Sequence, residues 1–114
     1  MELDTLIQQL ATDPEQIEFQ NVIATIDENY VFTPTGFSNG EQVNLADQNN
    51  GSCKIFSFAA LHKLSVDATL ACFGAFYRDE VLQDPQGTNH QNIRQFMIHG
   101  WDGVRFDGQA LKIR

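Results

Sequence analysis

Apolar residues at Leu3, Leu6, Ile7 and Leu10 recur at helical spacing and predict a short amphipathic helix at the start of the chain. Asp13, Pro14 and Gln16 then restart the pattern. The carboxylate can accept from first-turn amides, proline needs no amide partner at the first helical position, and glutamine completes a capping-box spacing. The second helix so predicted buries Phe19, Val22, Ile23, Ile26 and Tyr30 and ends before Thr33-Pro34, since proline disfavours helix in the residue ahead of it. From Val31 to Leu45 the period shortens: Thr35, Phe37, Val43 and Leu45 alternate with polar neighbours around Asn39-Gly40, a pair suited to positive φ, which predicts a hairpin.

The polar run Gln48-Asn49-Asn50-Gly51-Ser52 breaks the chain and offers helix caps, and a third helix is expected from Cys53 to Leu64, apolar at Ile55, Phe56, Phe58, Ala59 and Leu61. Ser65 can cap a fourth, Val66 to Gln83, whose apolar residues lie nearly all round and predict the centre of the core. Asp84-Pro85-Gln86-Gly87 ends it. Thr88 and Gln91 have the capping-box spacing for a fifth helix ending at Gly100, a residue at ease in the left-handed region. Val104, Phe106, Leu111 and Ile113 alternate on either side of Asp107-Gly108 and predict a closing hairpin over Gly103 to Ile113. No repeat or long linker divides the pattern. The expectation is one α+β domain over residues 1–114, predominantly helical with about five helices and a small, mostly antiparallel sheet.

Composition supports one core: the chain has 114 residues, 42% of them hydrophobic, with nine Phe that a disordered segment would not carry. Charge adds an asymmetry. Residues 1–50 hold nine acidic and no basic side chains, whereas the remainder holds seven basic and six acidic ones. A net charge of -8 without a segregated basic patch argues against nucleic acid and anionic membrane as partners and leaves the acidic front half available to a basic protein partner. Two cysteines are too few for a disulfide framework, no basic apolar leader precedes Leu3, and no apolar run is long enough for a bilayer span, so a soluble chain with reduced thiols is expected.

Candidate chemistry centres on Cys53. In the first turn of a helix a thiol meets the positive end of the dipole and unspent amides, both of which favour thiolate. The string Gly51-Ser52-Cys53-Lys54-Ile55-Phe56-Ser57 also resembles the neighbourhood of the nucleophile in papain-like cysteine proteases, although Lys54 replaces the aromatic that follows it and Gln48 stands one residue too close. In a thiol-dependent hydrolase or transferase Cys53 would attack, His90 would take its proton, and Asn92 or Asp102 would orient the imidazole. The plainer alternative is a cysteine that packs. His90 and Arg94, one turn apart, could bind a carboxylate or phosphate, or could complete a loop's hydrogen bonds. Trp101, with Asp102 after it, could anchor a partner or fold over the core. Cys72 reads as packing, and His99 as a complement to a helix C-terminus. The histidines and cysteines lack the short spacings of a metal site, and Gly100 and Gly103 do not form a phosphate loop, so no metal and no cofactor are expected.

Taken in order, Gly51 to Phe56, Ala68 to Gly74 with Tyr77-Arg78, His90-Gln91-Asn92-Ile93-Arg94-Gln95-Phe96-Met97, and Gly100-Trp101 resemble the HopJ type III effector family over nearly the whole chain. The resemblance implies a small bacterial protein delivered into a host cell through type III secretion, beside the bacterial cytoplasm that the reduced thiols and missing leader lead one to expect. It brings no established activity and no assigned catalytic residues, and a non-enzymatic binding or interaction protein is the expectation it leaves.

Overall fold

The computed structural model describes residues 2–114. It is an α+β domain of five α-helices and five short strands, all paired antiparallel. Helix α1 (Leu3–Thr12) buries Leu6 and Leu10 as its spacing requires. The restart at Asp13 is a single 3-10 turn, Pro14–Gln16, and Asp13 makes no side-chain cap. Ile17 then turns extended and inserts into the core at 1% exposure, so α2 begins only at Phe19 and runs to Asn29. Tyr30 opens strand β1 (Tyr30–Phe32) instead of closing the helix.

Strands β2 (Phe37–Asn39) and β3 (Gln42–Asn44) form the expected hairpin. Its two-residue loop is Gly40-Glu41, with Gly40 alone at positive φ, and Asn39 belongs to the strand. The inward residue of β3 is Asn44; Val43 and Leu45, apolar members of the expected alternation, are 67% and 63% exposed.

Helix α3 (Asn50–Leu61) is the centre of the core, displacing the fourth helix from that role. Cys53, Ile55, Phe56, Phe58 and Ala59 are all fully buried. The Phe56 ring meets those of Phe37, Phe73, Phe96 and Trp101 at centroid distances of 6.0, 5.4, 4.9 and 6.4 Å. The fourth helix is cut short. Ser65 Oγ accepts from the Ala68 amide and caps α4, which spans only Val66–Ala71. Gly74 follows at φ +58, and a Cβ there would lie 2.7 Å from the Phe19 nitrogen, so the chain turns to admit the strand-like link between Ile17 and Phe19. A π-helical segment, Phe76–Val81, completes the stretch. Helix α5 (Gln91–His99) ends at Gly100 with φ +61, as expected of that glycine, and passes into a 3-10 turn, Gly100–Gly103.

The closing segment is not a hairpin. Strand β4 (Val104–Phe106) pairs with β2, and β5 (Leu111–Ile113) pairs with β1. Both ladders keep one register, and Thr33 N–H to Ala110 O and Asp107 N–H to Gly36 O bridge the gap between them. Residues 30–39 and 104–113 thus form one antiparallel ribbon, splayed in the middle, against which the core helices pack.

Candidate functional site

Cys53 lies deeper in its helix than its neighbours in sequence suggest. Asn49 takes the N-cap in the left-handed region and α3 starts at Asn50, so the Cys53 amide already donates to the Asn49 carbonyl at 3.0 Å. The sulfur is 0% exposed and donates to the Thr35 carbonyl at 3.4 Å. Burial pushes this thiol up, against smaller opposing effects of Ser57 and the Thr35 carbonyl. A sealed, protonated thiol lacks both the access and the thiolate character of a nucleophile. Cys72, buried among apolar groups, is pushed up to about 12.

Above Cys53 the N-termini of α3 and α5 open onto a common cleft of about 390 Å³. Gly51 and Ser52 line it from one first turn, Gln91 and Asn92 from the other, and Phe73 and Phe76 form an apolar wall. Helix geometry leaves these four first-turn amides without an intrahelical acceptor, and both macrodipoles present their positive ends to the same space. No Asp, Glu, Lys or Arg lines the cleft. Both N-caps, Asn49 and His90, sit at φ 52 in the left-handed region, and neither side chain caps its own helix. Such a backbone costs about 1 kcal/mol for a non-glycine residue and is held only where its surroundings fix it.

Those surroundings are polar. Asn92 and Asn44 exchange amide hydrogen bonds at 3.0 and 3.1 Å, Asn49 donates to Asn44 Oδ1 at 2.7 Å, and Asn39 donates to the Asn92 carbonyl at 2.7 Å. Gln95 Oε1 accepts from the Glu41 amide, tying the hairpin turn to α5. Asn92 therefore locks β2, β3 and both helix starts together, where the sequence reading had it orienting an imidazole. Asn39 and Asn44 were missed; the alternation of Phe37 with Asn39 on one strand face was the available signal.

The remaining candidates have structural employment. His90, and not Thr88, is the N-cap of α5, and its Nε2 lies 2.8 Å from Glu80 Oε1. Thr88 accepts from Gln91 Nε2 through its carbonyl and does not cap the helix. Arg94 is buried, and it donates to the Asn89 carbonyl at 2.6 Å, Asn89 Oδ1 at 2.7 Å and the Asp84 carbonyl at 2.9 Å. Its guanidinium brackets the loop ahead of α5, and it does not face the cleft with His90. Trp101 folds over the core, donating from Nε1 to the Leu64 carbonyl at 3.0 Å and meeting Phe96 edge-on at 5.1 Å. Asp102 is exposed in the 3-10 turn. Among the described residues no group of three or more His, Cys, Asp or Glu side chains could hold a metal, and no helix is long and apolar enough to cross a membrane.

The structure thus defines a small α+β domain with a cleft built from two helix N-termini over a closed aromatic core. The chain belongs to the HopJ type III effector protein family, whose model matches residues 3–111. No curated protein matches it. Among solved structures it is similar to the crystal structure of VPA0580, a protein of unknown function, with 52% identity, a TM-score of 0.98 and coverage of 100% of this chain and 95% of that one. Three of the strings that carry the family resemblance meet in the cleft: Gly51-Ser52, Phe73, and His90 to Ile93.

Proposed function

We propose that this HopJ-family protein is a non-enzymatic binding protein whose cleft between α3 and α5 takes a small group rich in hydrogen-bond acceptors. The observation that carries this reading is the convergence of two helix N-termini, with four unspent first-turn amides and no acidic lining, on a single cleft. Burial of Cys53 favours binding over thiol chemistry, because the sulfur does not line that cleft. Titrating inorganic phosphate, sulfate and acetate into labelled protein tests it: one or more should move the amides of Gly51, Ser52, Gln91 and Asn92 saturably. Unmoved amides at millimolar anion would defeat the reading. Rapid alkylation of native Cys53 by iodoacetamide near neutral pH would restore the thiol hydrolase or transferase.

A second reading keeps the basic protein partner. All nine acidic residues of the front half are exposed, and of these only Asp27 makes an ion pair among the described residues, with Lys54 at 2.8 Å. Capture of a basic protein by the immobilised chain should weaken steeply as salt rises; salt-independent capture, or none, counts against it. Delivery by type III secretion rests on the family's description, and a secretion assay of the tagged chain in a type III-competent strain tests it, with retention in the bacterial cytoplasm as the opposing outcome.

A further inference from the structure

Arg94 holds the loop ahead of α5, yet that role leaves part of its hydrogen-bonding capacity free. The residue is 9% exposed, and its three acceptors, the Asn89 and Asp84 carbonyls and Asn89 Oδ1, are all neutral. It makes no ion pair among the described residues. A buried charge held by neutral dipoles alone is further stabilised by a counter-ion that reaches it. Guanidinium carries five N–H groups. Nε and one hydrogen on each terminal nitrogen are engaged, so Nη1 and Nη2 each keep one N–H.

A cavity of about 330 Å³ opens between α5 and the residues that follow the π-helical segment, and Arg94 lines it. Gly87 lines it as well. A Cβ on that glycine would lie 2.6 Å from Arg94 Nη2, so the charged end of the side chain, and not its stem alone, reaches this wall. Leu82, Met97 and Ile98 supply apolar lining that is 45%, 42% and 70% exposed, and no Asp, Glu or Lys lines the cavity. Asp84 Oδ2 lies 2.5 Å from the same Cβ position, on an exposed residue that makes no ion pair with Arg94. A dianion would meet one guanidinium and a neighbouring carboxylate, and a neutral hydrocarbon would leave the guanidinium without a counter-ion. We propose that this cavity binds a monocarboxylate with a compact apolar body, its oxygens on the free Nη1 and Nη2 hydrogens and its body against Leu82, Met97 and Ile98. The planar guanidinium suits the two oxygens of one carboxylate, and the volume lies at the low end of the range for small-ligand pockets.

Only Gln91 lines both this cavity and the cleft between α3 and α5, so the two sites report through different amides. Labelled full chain is titrated with sodium cyclohexanecarboxylate, with cyclohexylmethanol and acetate as separate arms. The cyclic acid should move the amides of Leu82, Gly87, Met97 and Ile98 saturably, and at lower concentration than either the alcohol or acetate. Shifts confined to Gly51, Ser52 and Asn92 would support the cleft and overturn this site. Arg94→Gln would also release the Asn89 loop, so the discriminating variant is Asp84→Asn, at an exposed position whose carbonyl stays in place. Removing that carboxylate should tighten the acid about twofold to fivefold, the size expected of one exposed charge interaction, and leave the alcohol unchanged. Absence of saturable shifts at the four amides would overturn the proposal. So would acid and alcohol binding alike with no response to Asp84→Asn, which would leave an apolar cavity that does not sense the guanidinium.

Discussion

Lys63 lies two residues past the end of α3 at φ +53, where Leu64 N–H reaches back to the Ala59 carbonyl and Lys63 N–H to that of Ala60. This is the Schellman closure that glycine usually makes. Lys63→Gly should therefore raise stability by about 0.5–1 kcal/mol, the relieved left-handed strain outweighing the greater freedom of the unfolded chain; a urea midpoint that falls instead would contradict it. His62, the residue before it, should make stability depend on pH. Burial lowers its pKa from the ordinary 6.5, so below that value the unfolded chain binds the proton more readily than the folded one. Stability from this group is full above pH 6.5 and is lost as pH falls through the window beneath it. Urea midpoints at about pH 7.5 and 5.5 should show the drop, and His62→Gln should reduce it. Residue roles were the least legible part of the sequence. Cys53 looked close to a helix start because Asn49, Asn50, Gly51 and Ser52 all resemble caps, and what ties down Asn49 is its bond to Asn44 Oδ1, an atom that Asn92 also holds.

At the scale of elements, the asparagine network joins the hairpin to α3 and α5. Removing one member leaves buried amides without partners, so Asn92→Ala should destabilise by about 2–4 kcal/mol, and Asn44→Ala combined with it should add less than its separate effect. A double-mutant cycle by urea unfolding measures both. The helices, the β2–β3 hairpin and the glycine stop at Gly100 were readable because each rests on contacts a few residues apart. The short α4 was not: its apolar run continues through Gly74, and what breaks it is the backbone of Ile17 to Phe19 arriving from elsewhere. Asp107-Gly108 likewise has the composition of a hairpin loop, yet the adjoining strands find better partners in β1 and β2. The cleft was half legible, since His90 and Asn92 were singled out while its floor of amides belongs to no side chain.

Over the whole molecule, helices α1 to α5 draw on neighbours in sequence, while the ribbon unites two stretches separated by most of the chain. Closing so large a loop carries an entropic cost before any pairing can offset it. The helical body should accordingly assemble first and the ribbon zip last. Pulsed hydrogen exchange during refolding should protect Ile55 and Phe56 amides before those of Val31 and Lys112, and simultaneous protection would refute that order. Until zipping is finished, residues 30–39 present an unmated edge to any other chain nearby, so early in its life this protein depends on its own distant tail arriving before a stranger does.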